Sequence, residues 1–219
     1  MRKAHRSKKA QLDSLATALA LNGEAVRTER PKALSIHDLR SIRPKTTTQV
    51  VAFEALKNID HVVLNGTAGV GKSFIGMYFA LESLLNKDVH EAPYEGLCYE
   101  LLGRQTAYEH LKKAGQLSFE STGYLRGITL NDTIVILDEC QNLSFSEINT
   151  VMTRLGENSR IFVCADTAQC DLKRNETGYE KALRVWDSMD DFQVVTFNHD
   201  DIVRSKVVKD WIIGVEELG

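Results

Sequence analysis

The sequence predicts an α/β fold, a mostly parallel sheet covered by helices on both faces, and three observations carry that expectation. Apolar runs of strand length alternate along the chain with stretches of helical periodicity. A glycine-rich segment, residues 65–71, joins one such run to an apolar-periodic helix. Another run, Thr133-Ile-Val-Ile-Leu137, ends abruptly in two acids, Asp138 and Glu139.

Length and composition set the frame. The 219 residues suffice for one domain of ordinary size, with or without an arm. Apolar residues make up 43% and charged residues 26%, the proportions of a folded chain rather than a disordered one. No segment approaches the roughly 18 uninterrupted apolar residues of a membrane span, so no membrane partner is expected. The net charge is −3, but residues 1–45 hold 11 Lys/Arg against 4 Asp/Glu, a net +7 that leaves −10 for the rest. The expected division is a basic N-terminal arm and linker, residues 1–43, followed by a domain, residues 44–219. Arg2, Lys3, Arg6, Lys8 and Lys9 in the arm suit either neutralisation of nucleic-acid phosphates or simple solvation.

The basic residues 1–10 and the apolar residues 15–21 imitate a signal peptide, yet the apolar stretch is short and leads into more charge. A cytoplasmic location is therefore expected. Cys98, Cys140, Cys164 and Cys170 form no CxxC pair and have no histidine at metal-ligand spacing. Cys140 and Cys164 read as reduced core thiols.

Taken in order, residues 12–21 suggest a short helix, and residues 27–45, with Pro31 and Pro44, a linker with a short helix near 36–42. A helix over 48–58 places Val51, Ala52, Ala55 and Leu56 at helical spacing. A strand over 61–64 and a helix over 72–85 follow. Further strands are expected at 117–121, 133–137, 160–164 and 193–197. Helical patterns at 94–102, 105–113, 145–154 and 179–188 sit between them. The last apolar segment, 203–215, is expected to pack back as a helix.

Gly66-Thr-Ala-Gly-Val-Gly-Lys72-Ser73 fits G-x-x-x-x-G-K-[ST], with a strand before it and a helix after. Glycines permit backbone angles that turn successive N–H groups inward, forming an anion nest at the helix start. Gly66, Thr67, Ala68, Gly69, Val70, Gly71, Lys72, Ser73 and the adjoining Phe74 are therefore candidate nucleotide-binding residues. Lys72 suits the β- and γ-phosphates, and the Ser73 hydroxyl suits Mg²⁺. A P-loop of this form points to a nucleoside triphosphate.

Strand ends are where an open α/β sheet places its ligands. Asp138 would support Mg²⁺, and Glu139 would orient and deprotonate the attacking water. A water-activating acid favours hydrolysis over transfer to a metabolite, which sets a P-loop small-molecule kinase second. A nucleotide-binding switch without turnover is the other alternative. After the strand at 160–164, Gln169 could hydrogen-bond both the water and the γ-phosphate.

Together, residues 66–73, 136–142, 153–159, 166–172 and 201–204 resemble the PhoH-like ATPases. These look like the N-terminal RecA-type half of superfamily 1 helicases, and the compact form is similar to versions encoded by tailed phages, whose compartment is the host cytoplasm. The resemblance spans roughly residues 44–213. It implies ATP as the nucleotide, read at adenine by Gln49, and RNA or another single-stranded nucleic acid as a partner, with helicase-like remodelling in view. Arg204 matches a family arginine suited to neutralising transition-state charge, while Arg126 could serve phosphate, nucleic acid or an interface.

One RecA-like unit leaves the nucleotide site open on one side, where a trans arginine can supply orders of magnitude in rate. A homo-oligomer follows, a closed ring and by resemblance a hexamer, with Arg204 or Arg154 as the trans residue. Two departures stand out. Similar proteins carry another strand, an Arg-containing motif and a Gly-Pro-rich loop where residues 85–91 run almost directly to Pro93 and Tyr94, as if a stretch near residues 86–90 were deleted or omitted. Lys173 stands where proline is common.

Overall fold

The structure is a computed structural model that describes residues 34–86, 95–103, 106–118, 121–125, 127–166 and 178–218. Gln169, Arg126, the basic arm, the helix expected at 12–21 and residues 87–94 of the unusual junction lie outside the described residues. Among the described residues no helix is long and apolar enough to cross a membrane.

Four strands form one parallel sheet: β1 (His61–Gly66), β2 (Ile134–Leu137), β3 (Arg160–Ala165) and β4 (Phe192–Phe197), in the order β2-β3-β1-β4. Alternate residues of each strand serve opposite faces, so Val62 and Leu64 enter one core cluster while Val63 enters the other. Both faces are buried, as the apolar runs require.

Helices cover the first face, joined by Leu34, Leu39 and Ile42 and by Ile212 and Ile213 of the C-terminal segment. Helix α1 (Thr47–Asn58) starts at Thr46, whose hydroxyl accepts the Gln49 N–H, and buries Ala52, Phe53 and Leu56. The Leu56 and Ile59 carbonyls at its C-terminal end are capped by the Arg160 guanidinium at 2.7 and 2.8 Å. Helix α2 (Lys72–Leu85) is apolar on most sides and packs on the sheet, with Gly76 over Cys164 and Phe162. Helices α3 (Glu95–Leu102) and α4 (Ala107–Lys113) complete this layer. On the second face lie α5 (Phe145–Met152), opened by a Ser144–Glu147 capping box, and α6 (Tyr179–Asp187).

The expected α/β class and its strand–helix order hold, with local corrections. Residues 117, 118 and 121 form no strand, and Leu117 instead buries its side chain in the first core from a loop. One buried leucine anchors such a segment without a partner strand. The helix expected near 36–42 reduces to a single 3-10 turn, Ile36–Asp38, although Leu34, Leu39 and Ile42 lie against the core. The C-terminal helix α7 runs Lys206–Leu218, three residues later than the apolar segment suggests. Val203 explains the delay, since its N–H donates to the Gly69 carbonyl at 3.2 Å and holds the chain extended there. Cys98, Cys140 and Cys164 are buried and enter no disulfide, as reduced core thiols should. Burial pushes the Cys140 thiol up to about 12.

Asp201, buried at a 3-10 turn (His199–Asp201), ties the C-terminal segment to the start of α1. Burial alone would raise its carboxyl pKa. Hydrogen bonds from the Thr46 hydroxyl, the Asn198 N–H and the Thr48 hydroxyl, with the charge of Lys209, outweigh that and hold it low. Asp201→Asn is expected to cost about 1–2 kcal/mol at neutral pH. The folded pKa lies below the unfolded one, so the contribution is complete above about pH 3.9 and is lost as pH falls through the folded value. Thermal melts from about pH 7 to pH 3 should show wild type and variant converging at the acid end.

Candidate functional site

The C-terminal ends of the parallel strands align along one edge, with Asn65 beside Ala165 and Leu137 beside Val163. Strand β3 therefore lies between the glycine-rich loop after β1 and the acids after β2. A cleft of about 270 Å³ opens there. Ala68, Gly69, Gly71, Lys72, Ser73 and Phe74 form its loop side. Asp138 and Glu139 line it from the end of β2, and Arg204 lines it from beside Gly69.

Each part of the loop has a local cause. Gly66 has φ +126, and a Cβ there would sit 2.2 Å from the Phe197 carbonyl oxygen of β4, so no side chain fits. Gly71 precedes α2 at φ 89 without a side-chain cap, leaving first-turn N–H groups facing the cleft side of the loop. Lys72 Nζ reaches back to donate to the Gly66 and Thr67 carbonyls at 2.9 and 2.7 Å. Burial lowers its pKa, and nearby Asp166, Cys164, Glu139 and Asp138 oppose that shift. An ammonium in that position offers charge to an incoming anion.

The acids are fixed from the other side. Asp138 Oδ1 accepts the Ser73 hydroxyl at 2.8 Å, linking the first turn of α2 to the end of β2. Glu139 adopts the left-handed region at φ 51, a costly conformation for a non-glycine residue that persists only where neighbours enforce it. Gln141 is that neighbour. Its Nε2 donates to Glu139 Oε2 at 2.7 Å, while its Oε1 accepts the Asp166 N–H at 2.9 Å. Only 2% exposed, Gln141 thereby fixes the glutamate carboxylate against the end of β3. Gln141 and Asp166 also line the cleft, although neither residue type nor spacing singles them out. The available signal is an amide two positions beyond the acid pair, which acquires meaning only once β3 lies beside β2.

A third wall comes from the C-terminal segment. The Val203 N–H bonds the Gly69 carbonyl, and Gly69 has Arg204 Cγ, Ile212 and Ile202 as its nearest side-chain neighbours. Arg204 accordingly lines the cleft of its own chain. Arg154 is elsewhere, beyond α5 at the opposite end of the strands, where its carbonyl accepts the Leu130 N–H. Its buried Nε has no hydrogen-bond partner among the described residues. Gly66, Thr67 and Val70 belong to the loop without lining the cleft, and the Thr67 hydroxyl instead donates a hydrogen bond to Glu216. Gln49 is also off the cleft and only 5% exposed. Its carboxamide braces the loop, donating to the Val70 carbonyl at 2.8 Å and accepting the Lys45 N–H at 2.6 Å.

Among the described residues no group of three or more His, Cys, Asp or Glu side chains could hold a metal by itself. Ser73 and Asp138, however, present two adjoining oxygens, a donor set that fits Mg²⁺ when phosphate oxygens and water supply the remainder.

Several known proteins resemble this chain in sequence. The model of the family described as PhoH-like protein matches residues 92–215. Protein PhoH of Escherichia coli K12 is 28% identical over 238 residues, covering 94% of this chain and 66% of that protein. The PhoH-like protein of Mycobacterium tuberculosis H37Rv is 28% identical over 200 residues, covering 78% of this chain and 57% of its own length. That of Bacillus subtilis is 27% identical over 198 residues, with 77% and 62% covered. The chain thus spans somewhat under two thirds of the length of these relatives. A solved replication initiator DnaA, bound to AMPPCP and single-stranded DNA, shares 15% identity and a TM-score of 0.38 over 84% of this chain and 63% of that one, too distant to inform the site.

Gly66→Ala tests the loop directly. The clash with the Phe197 carbonyl and the positive φ should cost about 3 kcal/mol or more, roughly 6–12 °C in melting temperature. Nucleotide-analogue binding should be lost even at temperatures where the variant remains folded, which titration calorimetry checks.

Proposed function

This chain belongs to the PhoH-like protein family, and from that premise we propose that it is a Mg²⁺-dependent ATP hydrolase. The observation that carries the proposal is the joint placement of Ser73, Asp138 and a Glu139 held by Gln141 on one cleft with the glycine-rich loop. The loop N–H groups and Lys72 bind the phosphate tail. Ser73 and Asp138 hold Mg²⁺, which neutralises charge on the phosphate oxygens when bound. Glu139 accepts a proton from the attacking water, and Gln141 keeps its carboxylate turned towards the cleft. Arg204, in cis, offers charge to the transferring phosphoryl group. Gln169 senses the γ-phosphate in this reading.

Gln49 acts first on the loop, through the Val70 carbonyl, and reads adenine only if ATP draws its carboxamide away from that bond. The hydrolase works in the cytoplasm as a homo-oligomer, a head-to-tail ring of hexameric kind. Arg154 is then the trans residue, because Arg204 already serves its own cleft. RNA or single-stranded nucleic acid is the polymeric partner, met by the basic residues of the arm.

Glu139→Gln should bind a non-hydrolysable ATP analogue within about threefold of wild type while phosphate release falls about 100-fold or more. Gln141→Ala should lower kcat about 10–100-fold with little change in KM, since it disturbs the base and not the cradle. Undiminished turnover in Glu139→Gln would leave a nucleotide switch or a kinase as the better reading. Phosphate release measured with and without RNA across a salt series should rise with RNA at low salt and lose that rise as salt increases. No stimulation at low salt would remove the nucleic-acid partner and leave the hydrolase.

A further inference from the structure

Helix α7 is apolar on two opposite sides, and among the described residues only one of them is covered. Inward, Ile212 and Ile213 pack against the first core, and Ile212 approaches Gly69 of the phosphate loop. On the same side Glu216 accepts the Thr67 hydroxyl and meets His199 Nε2 at 2.5 Å. Outward, at 100° per residue, Val207, Val208, Trp211, Gly214, Val215 and Leu218 fall within about 120° of arc without a charge among them. Val207 is 78% exposed, Trp211 73% and Leu218 89%. Single exposed apolar residues are ordinary, but a continuous stripe with an exposed tryptophan at its centre marks a contact surface.

We propose that this stripe is a self-association surface, on which a second copy lays its own α7 antiparallel, linking association to nucleotide binding through α7. The stripe is complementary to itself. A two-fold antiparallel contact brings the same flank of both helices together. Lys206, Asp210 and Glu217 all fall on one flank, with Lys206 and Glu217 both exposed. Centring the pair within about a residue of Trp211 sets Lys206 of each copy opposite Glu217 of the other, one opposite-charge pair at each end. Gly214 is the only residue of the arc without a side chain, and a Cβ there would have nothing within 4 Å. Glycine inside a helix costs about 1 kcal/mol relative to alanine. Its place on this stripe leaves room for the partner's indole. No Lys or Arg lies within the arc, which disfavours a polynucleotide as the occupant.

The contact stands without the hydrolase reading, whereas its linkage to the loop rests on nucleotide binding there. It differs from a head-to-tail ring contact and combines with one in a dihedral assembly.

Sedimentation velocity of the full chain over a concentration series, without nucleotide, tests the surface. Trp211→Glu should weaken self-association at least about tenfold, and Lys206→Glu about fivefold. The double variant Lys206→Glu/Glu217→Lys should return to within about twofold of wild type. Those two residues are 11 positions apart, about 16 Å along one helix, too far to pair within a copy, so rescue reports a contact between copies. Circular dichroism confirms that each variant is folded. Unchanged association in Trp211→Glu and Lys206→Glu, or a double variant no better than the single, would overturn the surface. Saturating Mg²⁺ and a non-hydrolysable ATP analogue should shift the association constant at least about threefold. An unshifted constant with the analogue bound overturns the linkage. An analogue that does not bind refutes the nucleotide reading and the linkage with it, while the measurement made without nucleotide still decides the surface.

Discussion

A single hydrogen bond, from the Ser73 hydroxyl to Asp138, holds together the two halves on which everything else depends. The partners are 65 positions apart in the chain. They meet because β3 separates β1 from β2 and all three strands end on the same edge. Without that bond the loop would be an anion nest with no metal site, and the acids would be a solvated turn. With it, two oxygens of the right hardness for Mg²⁺ stand beside an ammonium and a restrained carboxylate.

The restraint on Glu139 shows how local cost is tied to the site. A left-handed backbone at a glutamate is unfavourable by about 1 kcal/mol or more. Gln141 meets that cost with two directed hydrogen bonds, of which the one from the Asp166 N–H is buried. Apart from the Ser73–Asp138 bond, loop and acids have separate braces, the loop in Gln49, Val203 and Glu216, and the acids in Gln141 and the end of β3. Disturbing one brace should alter one chemical role at a time, which makes the site separable by mutation.

Much of this is legible in the sequence because the signals are local. The glycines from Gly66 to Gly71, the lysine and serine that follow, and the acids after residues 133–137 are contiguous, and each sits at a change of periodicity. The roles of Gln141, Thr67 and Glu216 are not legible, since each depends on a partner brought close only by folding. The late start of α7 has the same origin. Apolar content alone would begin a helix at Val203, but the bond from its N–H to the Gly69 carbonyl keeps the chain extended there. Leu117 misleads in the opposite direction, since a buried leucine in a short alternating stretch looks like a strand whether or not another strand lies beside it. Resemblance makes Gln49 an adenine contact, whereas in the structure its carboxamide is engaged with the loop backbone.

The most direct test of the central claim is a structure solved with Mg²⁺ and a non-hydrolysable ATP analogue. The triphosphate should lie along residues 66–73, with Lys72 Nζ moved from the Gly66 and Thr67 carbonyls onto phosphate oxygens. The ion should be bound by the Ser73 hydroxyl on the side facing Asp138. An analogue bound elsewhere, or an ion held away from both residues, would contradict it.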